Sequence, residues 1–454
     1  MDPLLDQHLI PENHLQLPEK YAHLSPQQYA KVLLDFIEKH KHWTTMHIVD
    51  FITMNQWETI MQKEWCQALL PADEYSSQDQ WINSIIKIAS DIALPRLNKN
   101  GLHQGTTKID KRIIPGMTGK KIHEVERMTP VIKKVAADQK VESIVDLGAG
   151  QGYLSRSIAF QSNLKVLAVD SSEIQTCGAK KFDERAIKYL SSDDLRLHHV
   201  TDFITPDNAS TILSKWSDHP KDEKWLLCGL HTCGDLASMM MRLFATSSEI
   251  TCFVNVGCCY HFLTEKEQEA QGQESVGFPL SQLICDSGFY FGPTPKMLSC
   301  QAPARWEDQL EETLTAYEHH FFRALLQAIM VEKGMTDVTI APVIGRLNKK
   351  RDFVSFPVYV QVASKRLGLP ENSITPQEAE DYYQKYKAKG VDKQIAILWT
   401  LRVLLGPILE SLILIDRWLY LNDLIPDSPT KNIWMWPLFD PITSPRNMVI
   451  AATK

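Results

Sequence analysis

Five short apolar runs rich in β-branched residues punctuate the middle of the chain, and amphipathic stretches at helical spacing lie between them. The runs are Ser143–Leu147, Lys165–Val169, Leu195–Val200, Trp225–Leu230 and Ile250–Val256. Apolar character without alternation over so few residues predicts strands buried on both faces of a parallel sheet. The segments Tyr153–Phe160 and 173–189 predict crossover helices, so the pattern is that of an α/β fold. Residues 1–100 contain no glycine and read as helices. Ser25 to Gln28 offers a capping box, and Val32, Leu33, Phe36 and Ile37 share a helical face. Further apolar faces run through Ile48, Phe51, Ile52 and Trp57, and through Ile60, Met61, Trp65, Leu69 and Leu70. Beyond the strands, Gly277–Leu280 opens a helix to Cys285, and residues 307–332 predict a long helix. Arg417–Leu421 and Asn447–Ala451 read as the sixth and seventh strands of the sheet.

Glycines then divide the chain. Four of them between 101 and 119, interspersed with Lys108, Lys111 and Arg112, mark a linker. The predicted divisions are a helical domain (1–100), the linker (101–119), a cofactor-binding core (120–261), a helical insertion that selects the substrate (262–415) and the closing strands (416–454).

The first strand ends in Gly148-Ala-Gly-Gln-Gly152, where missing side chains let a ligand come close to the backbone, and the second ends in Asp170, placed to accept ribose hydroxyls. Strand, glycine turn, helix, strand and acid make a nucleoside-binding βαβ unit. A dinucleotide fingerprint needs a third glycine at Tyr153, which is absent. Asp146-Leu-Gly-Ala-Gly-Gln-Gly152 instead resembles motif I of the class I S-adenosylmethionine methyltransferases. That resemblance implies S-adenosylmethionine as cofactor, Asp146 near its methionine part, and Gly148, Ala149, Gly150 and Gly152 beneath it. It assigns the ribose to Asp170 and the adenine to Asp202 and Phe203, after the third strand. The fold it implies is α/β: a Rossmann-like methyltransferase sheet with an N-terminal helical domain and a helical insertion.

Two His/Cys clusters follow the fourth and fifth strands: His231-Thr-Cys233-Gly-Asp235 and Gly257-Cys258-Cys259-Tyr-His261. Cys228 and Cys252, inside the strands, are expected in the core. The strand-end groups admit three chemistries. Thiolates and imidazoles suit zinc, but adjacent cysteines chelate one tetrahedral ion awkwardly and no C-x-x-C knuckle is present, so no metal ligand is assigned. A thiolate from Cys233, Cys258 or Cys259 could attack a pyrimidine ring. Proton removal from the methyl acceptor is the third; it favours His231 and Asp235 first, with Asp235 orienting an imidazole or binding the acceptor, and His261 next.

These clusters, with Lys120-Lys-x-His-Glu-Val125 and Ser444-Pro-Arg-Asn447, resemble a methyltransferase-like family once named after ribosomal RNA adenine dimethylase; the likeness spans about 115–454. The enzymes that 2′-O-methylate a tRNA acceptor stem are similar at strands four and five alone, without the tyrosine between cysteine and histidine. RNA, and tRNA within it, is therefore the expected substrate, by O- or N-methylation. Adenine dimethylation is not expected, because Gly229-Leu-His-Thr-Cys-Gly234 stands where adenine-N6 enzymes carry Asn/Asp-Pro-Pro-aromatic. A protein substrate and a cofactor-binding scaffold that transfers nothing are the alternatives.

Composition narrows this further. A net charge of −7 argues against a surface basic throughout, so RNA needs a local patch, and Lys349, Lys350 and Arg351 beside Phe353, Phe356 and Tyr359 offer one; DNA is not expected. Nine cysteines and an N-terminus without a secretory pattern predict a reducing compartment, cytoplasm or nucleus. The apolar stretch 395–415 raises membrane association as an alternative. Arg402, Glu410 and Gly406-Pro407 within it favour instead a pair of buried helices broken at Pro407.

Overall fold

The computed structural model describes residues 9–61, 86–97, 105–162, 164–188, 196–217, 222–265, 277–306, 308–338 and 343–454. Trp65, Leu69, Leu70 and Leu195 lie outside the described residues.

Ser143–Leu147 (β1) is buried at every position because it runs parallel between Lys165–Asp170 (β2) and Trp225–Cys233 (β4). Leu197–Thr201 (β3) flanks β2, and Ile250–Cys258 (β5) flanks β4. Met448–Thr453 (β7) is antiparallel to β5 and to Asn432–Pro437 (β6), giving a seven-stranded sheet in the order β3-β2-β1-β4-β5-β7-β6. This is the Rossmann-like methyltransferase sheet expected above. Strand order reverses between β1 and β4, and a crevice at such a switch point lies beyond the carboxyl ends of the strands.

The helix Gly119–Asp138 is capped by Thr118, whose hydroxyl accepts the Lys121 N–H. Its stripe of Val125, Met128, Val131, Ile132 and Val135 packs with Ile144, Ile158, Leu226 and Val254 in one core cluster. Each such side chain contributes about 1.5–3 kcal/mol when fully buried. The predicted capping box is present, with Ser25 N–H donating to Gln28 Oε1 and Gln28 N–H to Ser25 Oγ.

The chain divides into two compact units: residues 1–38, 91–300 and 407–454 in the first, and 39–90 and 301–406 in the second. These cuts differ from the divisions at 100, 119, 261 and 415, because residues 1–38 and the stretch after 105 belong with the sheet. In the second unit Phe322, Phe353, Phe356 and Tyr359 form an aromatic core between helices Leu310–Glu332 and Phe356–Arg366.

Three expectations change. Arg417–Leu421 is not a strand; it continues the helix Val391–Leu424, and β6 begins only after the Pro426–Pro429 turn. A short aromatic-aliphatic run does not reveal its period, and the helix upstream extends through it. Pro407 does not break that helix. It removes one backbone donor at a cost of about 3 kcal/mol, outweighed by burial of Val403, Leu404, Ile408, Leu409 and Leu412 around it. Finally, the aromatics beside Lys349–Arg351 are packed inward, at and before the helix Phe356–Arg366. The Asn348 side chain caps that turn by accepting the N–H groups of Lys350 and Arg351. Lys349, Lys350 and Arg351 are exposed, Arg351 is paired with Asp352, and the neighbouring aromatics are buried.

Among the described residues one helix, Val391–Leu424, is long and apolar enough to cross a membrane, and 78% of its most apolar window is buried inside the protein.

Candidate active site

The turn after β1 places Gly148, Gly150 and Gly152 at φ of 71°, 56° and 66°, the left-handed region that only glycine enters without cost. The amides serve the turn itself. Those of Gly148 and Ala149 donate to the Val169 carbonyl, that of Gly152 to the Ala149 carbonyl, and that of Gly150 to Asp170 Oδ2 at 2.9 Å. Room for a ligand lies at the middle of this glycine cradle: a Cβ at Gly150 would meet nothing within 4 Å, whereas one at Gly152 would lie 2.7 Å from His199. Asp170 also accepts the Ser172 N–H through Oδ1, which fixes its carboxylate at the end of β2 and leaves acceptor sites on both oxygens. A glycine cradle beside an anchored carboxylate fits a nucleoside with a ribose diol. Asp202 and Phe203 follow β3 in exposed positions; the Asp202 N–H donates to the Asp170 carbonyl, and Phe203 is 60% exposed.

Asp146 does not face the cradle openly. It is 2% exposed, and Ser155 Oγ donates to its Oδ2 at 2.5 Å. Burial pushes its carboxyl up to about 6, only partly opposed by Ser155 and His199. The folded chain therefore holds this proton more tightly than the unfolded chain. Stability should fall as pH rises from about 4 to about 6, by at most about 3 kcal/mol. Asp146→Asn is expected to lessen that slope in thermal unfolding between these pH values. Asp416, also raised to about 6 by burial, supplies the remainder.

The turn after β4 abuts this cradle, since a Cβ at Gly148 would lie 2.9 Å from Leu236. His231 is the extra residue of a bulge: Leu230 pairs with Val256 and Thr232 with Gly257. Its φ of 67° is held by the register on both sides and by buried Asn255, whose Nδ2 donates to Thr232 Oγ1 at 2.9 Å. Such strain in a non-glycine residue persists where structure over-determines it. His231 Nε2 lies 2.8 Å from Glu124 Oε1, which also accepts Ser444 Oγ at 2.6 Å, and Lys121 Nζ is 3.0 Å from Glu124 Oε2. Burial opposes the Glu124 charge, but His231, Lys121 and Ser444 outweigh it and hold the carboxyl down at about 2. An ionised Glu124 only accepts, so Nε2 carries the imidazole proton and Nδ1 is the basic nitrogen.

A cleft of about 480 Å³ opens here, walled by Lys120, Lys121, His231, the thiols of Cys233, Cys258, Cys259 and Cys300, His261 and Arg446. Cys233 and Cys258 are cross-strand partners with sulfurs 3.3 Å apart, and Cys259 Sγ is 3.6 Å from that of Cys258. The Cys258 hydrogen bond holds the Cys233 thiol down at about 6, while the same bond raises Cys258. His261 is exposed and Nδ1 meets Cys300 Sγ at 3.4 Å. Cys228 and Cys252 are in the core.

Asp235 stands apart from His231. Its carboxylate accepts the Thr264 N–H and hydroxyl at 2.9 and 2.6 Å, so it fastens the segment after β5 and does not orient the imidazole. Glu124 does that, a residue that entered above only as part of the Lys120–Val125 stretch and without a role. The signal was present, because Glu124, Met128, Val131, Ile132 and Val135 share one helical stripe and an acid in an apolar stripe needs a partner. His123 accepts the Asp440 N–H away from the cleft.

Residues 120–266 match a protein family described as a methyltransferase domain. The chain carries an S-adenosylmethionine-dependent methyltransferase domain. It is 25% identical over 76% of its length to the human probable methyltransferase-like protein 25, spanning 76% of that protein. It is 33% identical over 56% of its length to the mouse probable methyltransferase-like protein 25, spanning 41% of it. Among solved structures, the plantazolicin methyltransferase BpumL in complex with SAH is 18% identical over 32% of this chain and 50% of that one, with a TM-score of 0.21. Coclaurine N-methyltransferase bound to N-methylheliamine and SAH is 12% identical over 94% of this chain and all of that one, with a TM-score of 0.25. The chemistry of the domain is donation of the sulfonium methyl. The residues fit that cofactor at the cradle of Gly148–Gly152 and at Asp170. Loss of the two charge-assisted bonds available to Asp170 costs about 1.5–3 kcal/mol each. Asp170→Ala is therefore expected to weaken S-adenosylmethionine binding about 10²-fold or more in calorimetric titration.

Proposed function

We propose that this domain methylates an oxygen or nitrogen of RNA, with tRNA as the first substrate to test, and that His231 takes the acceptor's proton. The observation that carries this reading is the His231–Glu124 pair in a cleft that also holds Lys120, Lys121 and Arg446. Glu124 fixes the imidazole tautomer and compensates the imidazolium formed when Nδ1 accepts a proton. The cationic wall suits a phosphate-bearing acceptor despite the net charge of −7. In the second unit, taken by itself, the exposed Lys349 and Lys350 suit a phosphate, and the protein works in the cytoplasm or nucleus with helix Val391–Leu424 as a core element.

A protein acceptor is the second reading. It draws on the burial of Phe353, Phe356 and Tyr359, which leaves no stacking surface beside the basic turn. Incubation with tritiated S-adenosylmethionine and separate tRNA, other RNA and protein fractions decides between them. Label in RNA that disappears with Asp170→Ala is the expected result. Label confined to protein overturns the RNA reading.

A further inference from the structure

The proposed reaction leaves three thiols without a role, although they form a ligand set. Cys233 and Cys258 face each other across the parallel pair, and the sulfurs of Cys233, Cys258 and Cys259 all lie within 4.8 Å of one another. Zinc–sulfur bonds of about 2.3 Å in a tetrahedron put neighbouring sulfurs about 3.8 Å apart. The 3.3 and 3.6 Å separations reach that value by shifts of a few tenths of an ångström.

Neighbouring cysteines in a strand point to opposite faces and cannot share an ion. Cys259 is released from that rule. It leaves β5 with φ 52° and ψ 49°, a left-handed conformation that brings its sulfur round to that of Cys258. The objection that sequence adjacency raises against a shared metal is thereby removed. Soft sulfur ligands select zinc over magnesium or calcium, and three thiolates on a dication leave one negative charge. Lys120, Lys121 and Arg446 stand in the same cleft to balance it.

We propose that Cys233, Cys258 and Cys259 bind one zinc ion whose fourth coordination position opens into the cleft. Structural zinc sites close all four positions with protein, whereas an open position is where a water or a substrate atom binds. The site belongs at the ends of β4 and β5, beside His231 and His261.

Full-length protein grown in zinc-supplemented medium and purified without chelator should carry about one zinc per chain by plasma mass spectrometry. Cys233→Ser combined with Cys258→Ser should abolish it, and Cys177→Ser, at an exposed thiol elsewhere, should not. A second measurement does not depend on the double variant folding. Cobalt exchanged into the unmodified protein should give thiolate charge-transfer bands and the visible bands of a tetrahedral ion. Protein that takes up no stoichiometric zinc on titration, or that contains a Cys233–Cys258 disulfide as isolated, overturns the proposal. Metal content is read without any methyl transfer, so this outcome and that of the RNA assay are independent.

Discussion

Replacing His231 with alanine is expected to lower label transfer to RNA by about 10²–10⁴-fold, the usual worth of a positioned general base. Cofactor affinity should stay unchanged, because the Asp170 carboxylate is held by the Gly150 and Ser172 amides and the imidazole by Glu124. Titration calorimetry with S-adenosylmethionine checks that half of the prediction, and single-turnover transfer checks the other. Loss of an imidazole by unfolding would move both. Glu124→Gln gives the sharper test of mechanism. Its amide oxygen can still accept the Nε2 proton, so the tautomer survives, but the charge that compensates an imidazolium is gone. Transfer should then fall while cofactor affinity is kept. A positioning role for Glu124 predicts that split between turnover and cofactor binding; a merely structural role predicts that both fall together. Full turnover in His231→Ala would remove the histidine from the mechanism.

The sheet was legible because buried parallel strands carry their own signature. All five parallel strands fall within a few residues of their predicted places, since Val, Ile and Leu runs between turn signals admit few other readings. β6 was misplaced because Arg417–Leu421 shows strand composition inside a helix whose period is set far upstream. The strand-end clusters were legible for a different reason: ligands bind at carboxyl ends of parallel strands, so chemistry placed there in sequence is placed together in space. His231, Cys233, Cys258, Cys259 and His261 do line one cleft. The partners of those residues were not legible. Glu124, Cys300 and Arg446 reach the cleft from segments 39 to 185 residues away from the nearest cluster residue, and no local pattern encodes such pairings. Asp235 was chosen over Glu124 because it is near His231 in sequence, and proximity along the chain is a poor guide at the end of a strand.

Glu410→Leu should destabilise the sheet-bearing unit by about 3–5 kcal/mol, the usual consequence of removing one member of a buried ion pair. Glu410 is 4% exposed, and its Oε2 is 2.8 Å from Arg446 Nη1 and 2.9 Å from Arg96 Nη2. Arg446 is the stronger partner, since the Arg96 nitrogen is near enough but not aligned to hydrogen-bond. Glu410 Oε1 accepts the Tyr260 hydroxyl at 2.9 Å, and the Arg446 guanidinium lies over the Tyr260 ring. Removing the carboxylate leaves two guanidinium groups and a phenol facing one another without an acceptor between them. Urea unfolding followed by tryptophan fluorescence should show the loss as a lower midpoint. The double variant Glu410→Leu with Arg446→Met should recover much of it, because an apolar pair of similar volume replaces a charge pair at little net cost. Tyr260 sits between Cys259 and His261, so its anchorage to Glu410 also sets where those two side chains stand. This explains the tyrosine that interrupts the Cys-Cys-His pattern: it ties the turn after β5 to the helix Val391–Leu424. In the single variant, His261 and the thiols should therefore lose order before the sheet unfolds, and their alkylation by iodoacetamide should quicken at urea concentrations that leave the tryptophan signal native. Alkylation and fluorescence changing together would instead show that the turn has no independent support from Glu410.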